Sequence, residues 1–275
     1  MTLVYVSEGE FLMGADAEIG FQACQDLYEP YLDTYCSEVA YLDEEPVHIV
    51  WLDAFWIDQT EVTNAMYAAL LNKTGNKIEW GEPWYAASEP EARIREEDGV
   101  WVVEVGYEDH PVTLVTWHGA HSYCEQMGRR LPTEAEWEKA ARGTDERIYP
   151  WGNEFDGEKL NFCDQDCERY PNPNYDDGYE VTAPVGSYPQ GASPYGALDM
   201  AGNVREWVFD RFAIDYYERS EYRNPDGPAS SLGDIRVYRG GGWSDTGDHT
   251  RTTVRHPRTP LYETNDRGFR CVLNK

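Results

Sequence analysis

The chain has 275 residues, 23 of them Lys or Arg and 51 Asp or Glu, for a formal charge of −28 at pH 7. That balance excludes a binder of nucleic-acid backbones or anionic membrane surfaces, both of which draw affinity from basic side chains. With 41% hydrophobic and 14% aromatic residues the chain can bury a sizeable core, which argues against disorder over most of its length, and its length suits one large domain or two small ones.

The opening, Met1–Glu10, lacks the basic and then apolar pattern of an export signal. No apolar run approaches the roughly 18 residues of a membrane span, so no membrane insertion is expected. Residues 15–45 carry nine acids and no Lys or Arg. They read as an acidic, solvated insertion pinned by Cys24 and Cys36 rather than as core. Thr63 caps a helix through Ala65–Leu71, whose apolar residues fall at helical spacing. Residues 75–109 then mix Trp80, Trp84, Tyr85 and Trp101 with Gly, Pro and acids. Thr116 caps a second helix running to about Gly128, a left-handed terminator. A third follows Thr133, which stands at capping-box spacing from Glu136, and stops before Gly143. From Tyr149 onward Gly, Pro, Asn and Asp recur every few residues, with short apolar pieces such as Ala183–Val185 and Arg236–Tyr238 between them. This pattern predicts short strands joined by long loops, an α+β domain with little regular secondary structure, and such loops need a fastener.

Several constellations carry less. The six cysteines include two local couples, Cys24/Cys36 and Cys163/Cys167, plus the distant Cys124 and Cys271; spacing alone leaves both their connectivity and a fully reduced state open. A zinc site at Cys163/Cys167 lacks a second couple of ligands. His118 and His121 stand at i, i+3 on the second helix without a third ligand nearby. Ser187, Ser193 and Ser244 lie in loops outside any Gly-x-Ser-x-Gly elbow. Gly240–Gly242 precede Trp243 and no helix, so they read as a close backbone approach rather than a phosphate cradle.

Eight ordered motifs span nearly the whole chain: Gly9–Gly14 (GEFLMG), Glu61–Asn64 (EVTN), His110–Val112 (HPV), Arg130–Glu138 (RLPTEAEWE), Pro150–Gly152 (PWG), Asp199–Trp207 (DMAGNVREW), Arg239–Trp243 (RGGGW) and Gly268–Cys271 (GFRC). With them the sequence resembles the formylglycine-generating enzyme, or sulfatase-modifying factor, family. The resemblance implies a single C-type-lectin-like domain and an oxygen-dependent oxidation of a peptide cysteine on copper(I) held by two cysteines. Asp245 and Thr250 stand where those cysteines belong, Gly242 replaces the motif's serine, and no cysteine lies between 168 and 270. A carboxylate and a hydroxyl are poor copper(I) ligands, so copper is not expected, and no catalytic residue is assigned.

The resemblance also implies calcium as a cofactor, at Asn161, Phe162, Asp177 and Tyr179 and again at Asp199, Gly202, Val204 and Glu206. Carboxylates and loop carbonyls there offer the oxygens that ion requires. The competing reading has Asp199 and Glu206 capping turns or pairing with Arg205 or Arg211. A Cys124–Cys271 disulfide is implied as well, with Cys24–Cys36 and Cys163–Cys167 as its simplest completion, and this pairing favours an extracytoplasmic location. The segment 244–267 gathers Arg251, Arg255, Arg258, Arg267, His249 and His256. The resemblance places it at a substrate groove, with Asp245, Thr250, Arg251 and Arg255 as candidate groove residues, unless the arginines pair with surplus acids. Trp151, Trp207 and Trp243 read as core. The expectation is a calcium-stabilised, non-catalytic module that binds a protein, peptide or small molecule in the C-terminal groove. The alternatives are an oxidoreductase acting on a peptide or small molecule by different chemistry, and the sensor module of a longer protein.

Overall fold

A computed structural model describes residues 1–28, 36–167, 170–230 and 232–275. Strand β1 (Leu3–Val6) and β2 (Gly9–Met13) lead into helix α1 (Ala17–Tyr28), and β3 (His48–Leu52) and β4 (Phe55–Asp58) follow. β2 pairs antiparallel with β3, while β1 lies antiparallel against β4.

The three expected helices start where their caps dictate. For α2 (Asn64–Thr74) the Thr63 hydroxyl accepts the Met66 N–H, and Gly75 at φ +73° ends it. The hairpins β5 (Ile78–Glu79) with β6 (Glu82–Pro83) and β7 (Ile94–Glu97) with β8 (Val100–Val103) occupy the Trp-rich stretch. For α3 (Trp117–Gln126) the Thr116 hydroxyl accepts the Gly119 N–H, and Gly128 at φ +70° lets Arg129 N–H return to Cys124 O. α4 (Glu134–Arg142) opens on a complete capping box between Thr133 and Glu136.

The second half supplies one four-stranded sheet, built from β9 (Arg205–Arg211), β10 (Arg236–Arg239), β11 (His256–Arg258) and β12 (Arg267–Phe269) in the order β11-β10-β9-β12. β9 and β12 run parallel, and the last strand, β13 (Val272–Asn274), joins the far side of β4. Arg236–Tyr238 is a strand as expected, but Ala183–Val185 is not. There the Ala183 N–H is taken by the Asn203 side chain and the Val185 N–H by Asp109 O, so no ladder partner is needed.

Beside two smaller ones around Tyr41 and Phe162, two large apolar clusters fill most of the interior among the described residues. One packs Tyr67, Leu70, Trp117 and Tyr123 of α2 and α3 against Trp207, Tyr238 and Phe269 of the sheet. The other packs Trp137 and Ala141 of α4 against Phe11, Val50, Ile57, Val208 and Val237. Each fully buried large side chain contributes about 1.5–3 kcal/mol. Cys124–Cys271 crosses the first cluster, and Cys24–Cys36 and Cys163–Cys167 complete three disulfides. Such a set fits an oxidising, extracytoplasmic setting. Among the described residues no helix is long and apolar enough to cross a membrane.

The acidic stretch 15–45 departs from the solvated insertion that its charge suggests; residues 29–35 of it lie outside the described residues. α1 and the 3-10 turn Glu38–Glu44 bury Cys24, Tyr28, Tyr41 and Glu44. The Tyr41 hydroxyl donates to Asp248 (2.6 Å), the Tyr28 hydroxyl accepts the Gly247 N–H (2.8 Å), and Glu44 pairs with Arg251. Glu44 is neutralised from the C-terminal half, a long-range pairing that no local pattern announces.

Candidate functional site

A cavity of about 790 Å³ opens where the 163–167 loop, the 243–246 turn, β11 and the 262–267 segment meet. The glycine run shapes it. A Cβ on Gly241 (φ +68°) would fall 2.8 Å from His249 O, and one on Gly242 would fall 3.1 Å from Asp266 O. The turn therefore closes on its neighbours as only glycine allows.

At the cavity wall Arg205 is saturated. Its Nε and Nη2 hold both oxygens of Asp245, and its Nη1 donates to Asp266 Oδ2 at 2.9 Å. Burial works to raise Asp245, but Arg205 prevails and holds its carboxyl below the usual range. Of the four candidate groove residues only Asp245 lines the cavity. Thr250 is buried, its hydroxyl donating to Gly247 O. Arg251 is buried against Glu44, and Arg255 grips Glu134 through Nε (2.7 Å) and Nη2 (3.1 Å) and donates to Asp43 O. The groove reading is thus corrected for three of the four: Thr250 closes its own turn, and the two desolvated guanidiniums each require a carboxylate, which the acidic stretch supplies to Arg251 and α4 to Arg255.

The residues lining the cavity include His249, His256, Arg258, Arg267, Tyr262 and Trp243. Trp243 is therefore not core; its Nε1 donates to Asn265 O while the ring stays half-buried at the wall. Trp207 is core, with Nε1 donating to Val115 O, and Trp151 stacks on Tyr149 half-buried. Sequence reading passed over Arg205 and Asp266 as site residues, although Arg205 falls inside the Asp199–Trp207 motif. His118 Nδ1 lies 3.4 Å from Glu79, while the His121 ring stacks on Trp117. Ser187 and Ser193 satisfy local turns, and Ser244 donates to Asp266.

The two expected calcium sets touch one another, because Asn203 N–H donates to Asn161 O and Gly202 packs directly on that carbonyl. In the first set Asn161 Nδ2 is committed to Val181 O, leaving its Oδ1 buried with no partner. Asp177 accepts the Phe162 and Tyr179 N–H groups, and burial, with Asp164 and Asp176 nearby, pushes its carboxyl up to about 7. An orphaned amide oxygen beside a destabilised carboxylate suits a hard cation. The second set fits less well. Both Glu206 oxygens are taken by Arg270 (2.7 Å each), and Oε2 also accepts Trp137 Nε1–H. Asp199 (φ +55°) accepts the Gly186 N–H and lies against the buried Glu61. The partner of Glu206 is thus Arg270, rather than Arg205 or Arg211. All six cysteines are in disulfides, so no thiolate is offered to a soft metal.

The sulfatase-modifying factor enzyme 1-like domain model matches residues 1–275. A serine/threonine-protein kinase pkn1 of Chlamydia caviae is 40% identical over 235 residues, covering 84% of this chain and 34% of that protein. The chain therefore spans about a third of the kinase relative's length. A formylglycine-generating enzyme of Streptomyces coelicolor is 36% identical over 260 residues, covering 83% of this chain and 81% of the enzyme. PvdO from Pseudomonas aeruginosa has the same fold, with TM-score 0.69 and 24% identity over 99% of this chain and 94% of PvdO. Full-length match, ordered motifs and fold agree: the chain belongs to the formylglycine-generating enzyme, or sulfatase-modifying factor, family.

Proposed function

We propose that this domain is a non-catalytic member of its family, fastened by calcium and binding a protein, peptide or small molecule in the cavity beside Trp243, with no copper site. The observation that carries the reading is the state of the cysteines. Copper(I) oxidation requires soft thiolates open to the metal, whereas here every cysteine is in a disulfide. The carboxylate at 245 is already bound by Arg205 and the hydroxyl at 250 by Gly247 O. A copper(I) titration against a chromophoric chelator tests this directly: the protein leaves the chelator's colour unchanged, and withdrawal of one equivalent of copper contradicts the reading.

Asn161, Phe162, Asp177 and Tyr179 would hold calcium through side-chain and main-chain oxygens, and the ion would supply positive charge that relieves the buried Asp177. Support comes from the unpartnered Asn161 oxygen. A ligand that binds only the folded state at a hundred times its Kd stabilises by about 2.7 kcal/mol. Chelation therefore lowers the melting midpoint, and Asp177→Asn abolishes the response; an unchanged midpoint on chelation of the parent protein removes calcium from the account.

A further inference from the structure

One wall of the cavity is basic and underused in an otherwise acidic molecule. Arg267 is 3% exposed, and its guanidinium lies between the Tyr238 and Tyr262 rings, 4.7 and 4.6 Å from their centroids. Its Nε and Nη1 are buried with no acceptor. The nearest carboxylate, Asp266, is 3.6 Å away and already serves Arg205 and Thr264. The rings of His249 and His256 stack with centroids 5.6 Å apart, and His249 Nδ1 and His256 Nε2 also lack partners. Arg258, exposed at the rim, adds a fourth basic side chain. Buried polar nitrogens are satisfied in folded proteins, so this many at one wall mark the place of an acceptor. Burial, with Arg205, His249 and Arg258 around it, holds the His256 ring well below the usual histidine range.

The rest of the lining narrows the acceptor. Asp164 is committed to the Asp166 and Asp177 N–H groups, and Asp245 and Asp266 to Arg205. Asp166 and Glu180 remain exposed at the rim and oppose a highly charged anion. Trp243 and Tyr262 present aromatic surface to the same cavity.

We infer that this wall binds the carboxylate of an organic ligand with an aromatic or apolar body, Arg267 and Arg258 pairing the anion and His249 and His256 completing its hydrogen bonds. The inference rests on the ligand-binding reading of the same cavity, and names the chemical class it takes. A free small acid and a peptide's C-terminal carboxylate share this chemistry.

The test titrates the full chain with N-acetyl-L-phenylalanine and with a hexapeptide ending in a free phenylalanine carboxylate, each beside its amide, and with ATP. Indole fluorescence and the side-chain nitrogen resonances of His249 and His256 report binding. At least one acid binds at least about tenfold more tightly than its amide and than ATP, and shifts both histidines. Which acid binds identifies the source. Arg258→Gln, at an exposed position, weakens that acid by about tenfold without moving the melting midpoint; Arg267→Gln weakens it further where the variant folds. Amides equal to acids, tighter ATP binding, no binding at millimolar concentration, or an unaffected Arg258→Gln overturns the inference. Preferential binding of amides would leave the ligand-binding reading standing, and copper-dependent turnover would remove that reading while leaving the carboxylate preference intact.

Discussion

Replacing Glu44 by Gln tests whether the acidic stretch is part of the fold. Arg251 is 0% exposed and Glu44 1%, and they meet in two hydrogen bonds, Nη1 to Oε2 at 2.9 Å and Nη2 to Oε1 at 2.6 Å. The same guanidinium donates through Nε to Asp248 O and lies 5.0 Å from the Tyr41 ring centroid. The amide keeps the shape but strands a buried cation, a change that costs about 3–5 kcal/mol. At about 2–4 °C per kcal/mol in a domain of this size, the midpoint falls by roughly 6–20 °C. Urea and thermal unfolding followed by circular dichroism measure it. Adding Arg251→Met to Glu44→Leu recovers most of the loss, because the two charges of the pair are then removed together. A loss under about 1 kcal/mol, the value of an exposed pair, would refute the reasoning and return residues 15–45 to a loosely attached insertion.

Two further perturbations follow from the same geometry. Burial pushes the Asp43 carboxyl up to about 6, against the opposing pull of Arg255. The folded state therefore holds a proton that the unfolded chain has released, and stability is lost as pH rises from about 4 through about 6. Asp43→Asn is accordingly more stable than the parent at pH 8, by up to about 3 kcal/mol, and equal to it near pH 4, as urea midpoints at the two pH values will show. Removing Cys124–Cys271, which closes a separation of 147 residues, costs about 3–5 kcal/mol in the chain-entropy model. Urea unfolding of Cys124→Ala/Cys271→Ala measures that cost, and an unchanged midpoint contradicts the assignment.

The legible parts of this fold were those written locally. Thr63, Thr116 and the Thr133/Glu136 pair announce three helices because a cap is a contact within one turn. The Gly/Pro/Asn-rich second half announces loops for the same reason. What stayed hidden was long-range. Nothing near Arg251 or Arg255 in sequence reveals that Glu44 and Glu134 neutralise them, so motif position alone assigned them to the groove. Trp243 read as core because a ring's burial depends on what the 262–267 segment leaves open. Glu206 was read as a calcium ligand from its motif, yet its partner Arg270 lies 64 positions away. Motif position puts Asn161 and Asp177 in one expected ligand set, but only packing exposes the amide oxygen that lacks a donor.

The central claim is that this family member has exchanged copper chemistry for binding. Its most direct measurement incubates the disulfide-intact protein with copper, oxygen and a peptide carrying Cys-x-Pro-x-Arg, then weighs the peptide. The account predicts a peptide of unchanged mass at every copper concentration. Formation of the aldehyde, abolished when copper is chelated, would contradict it.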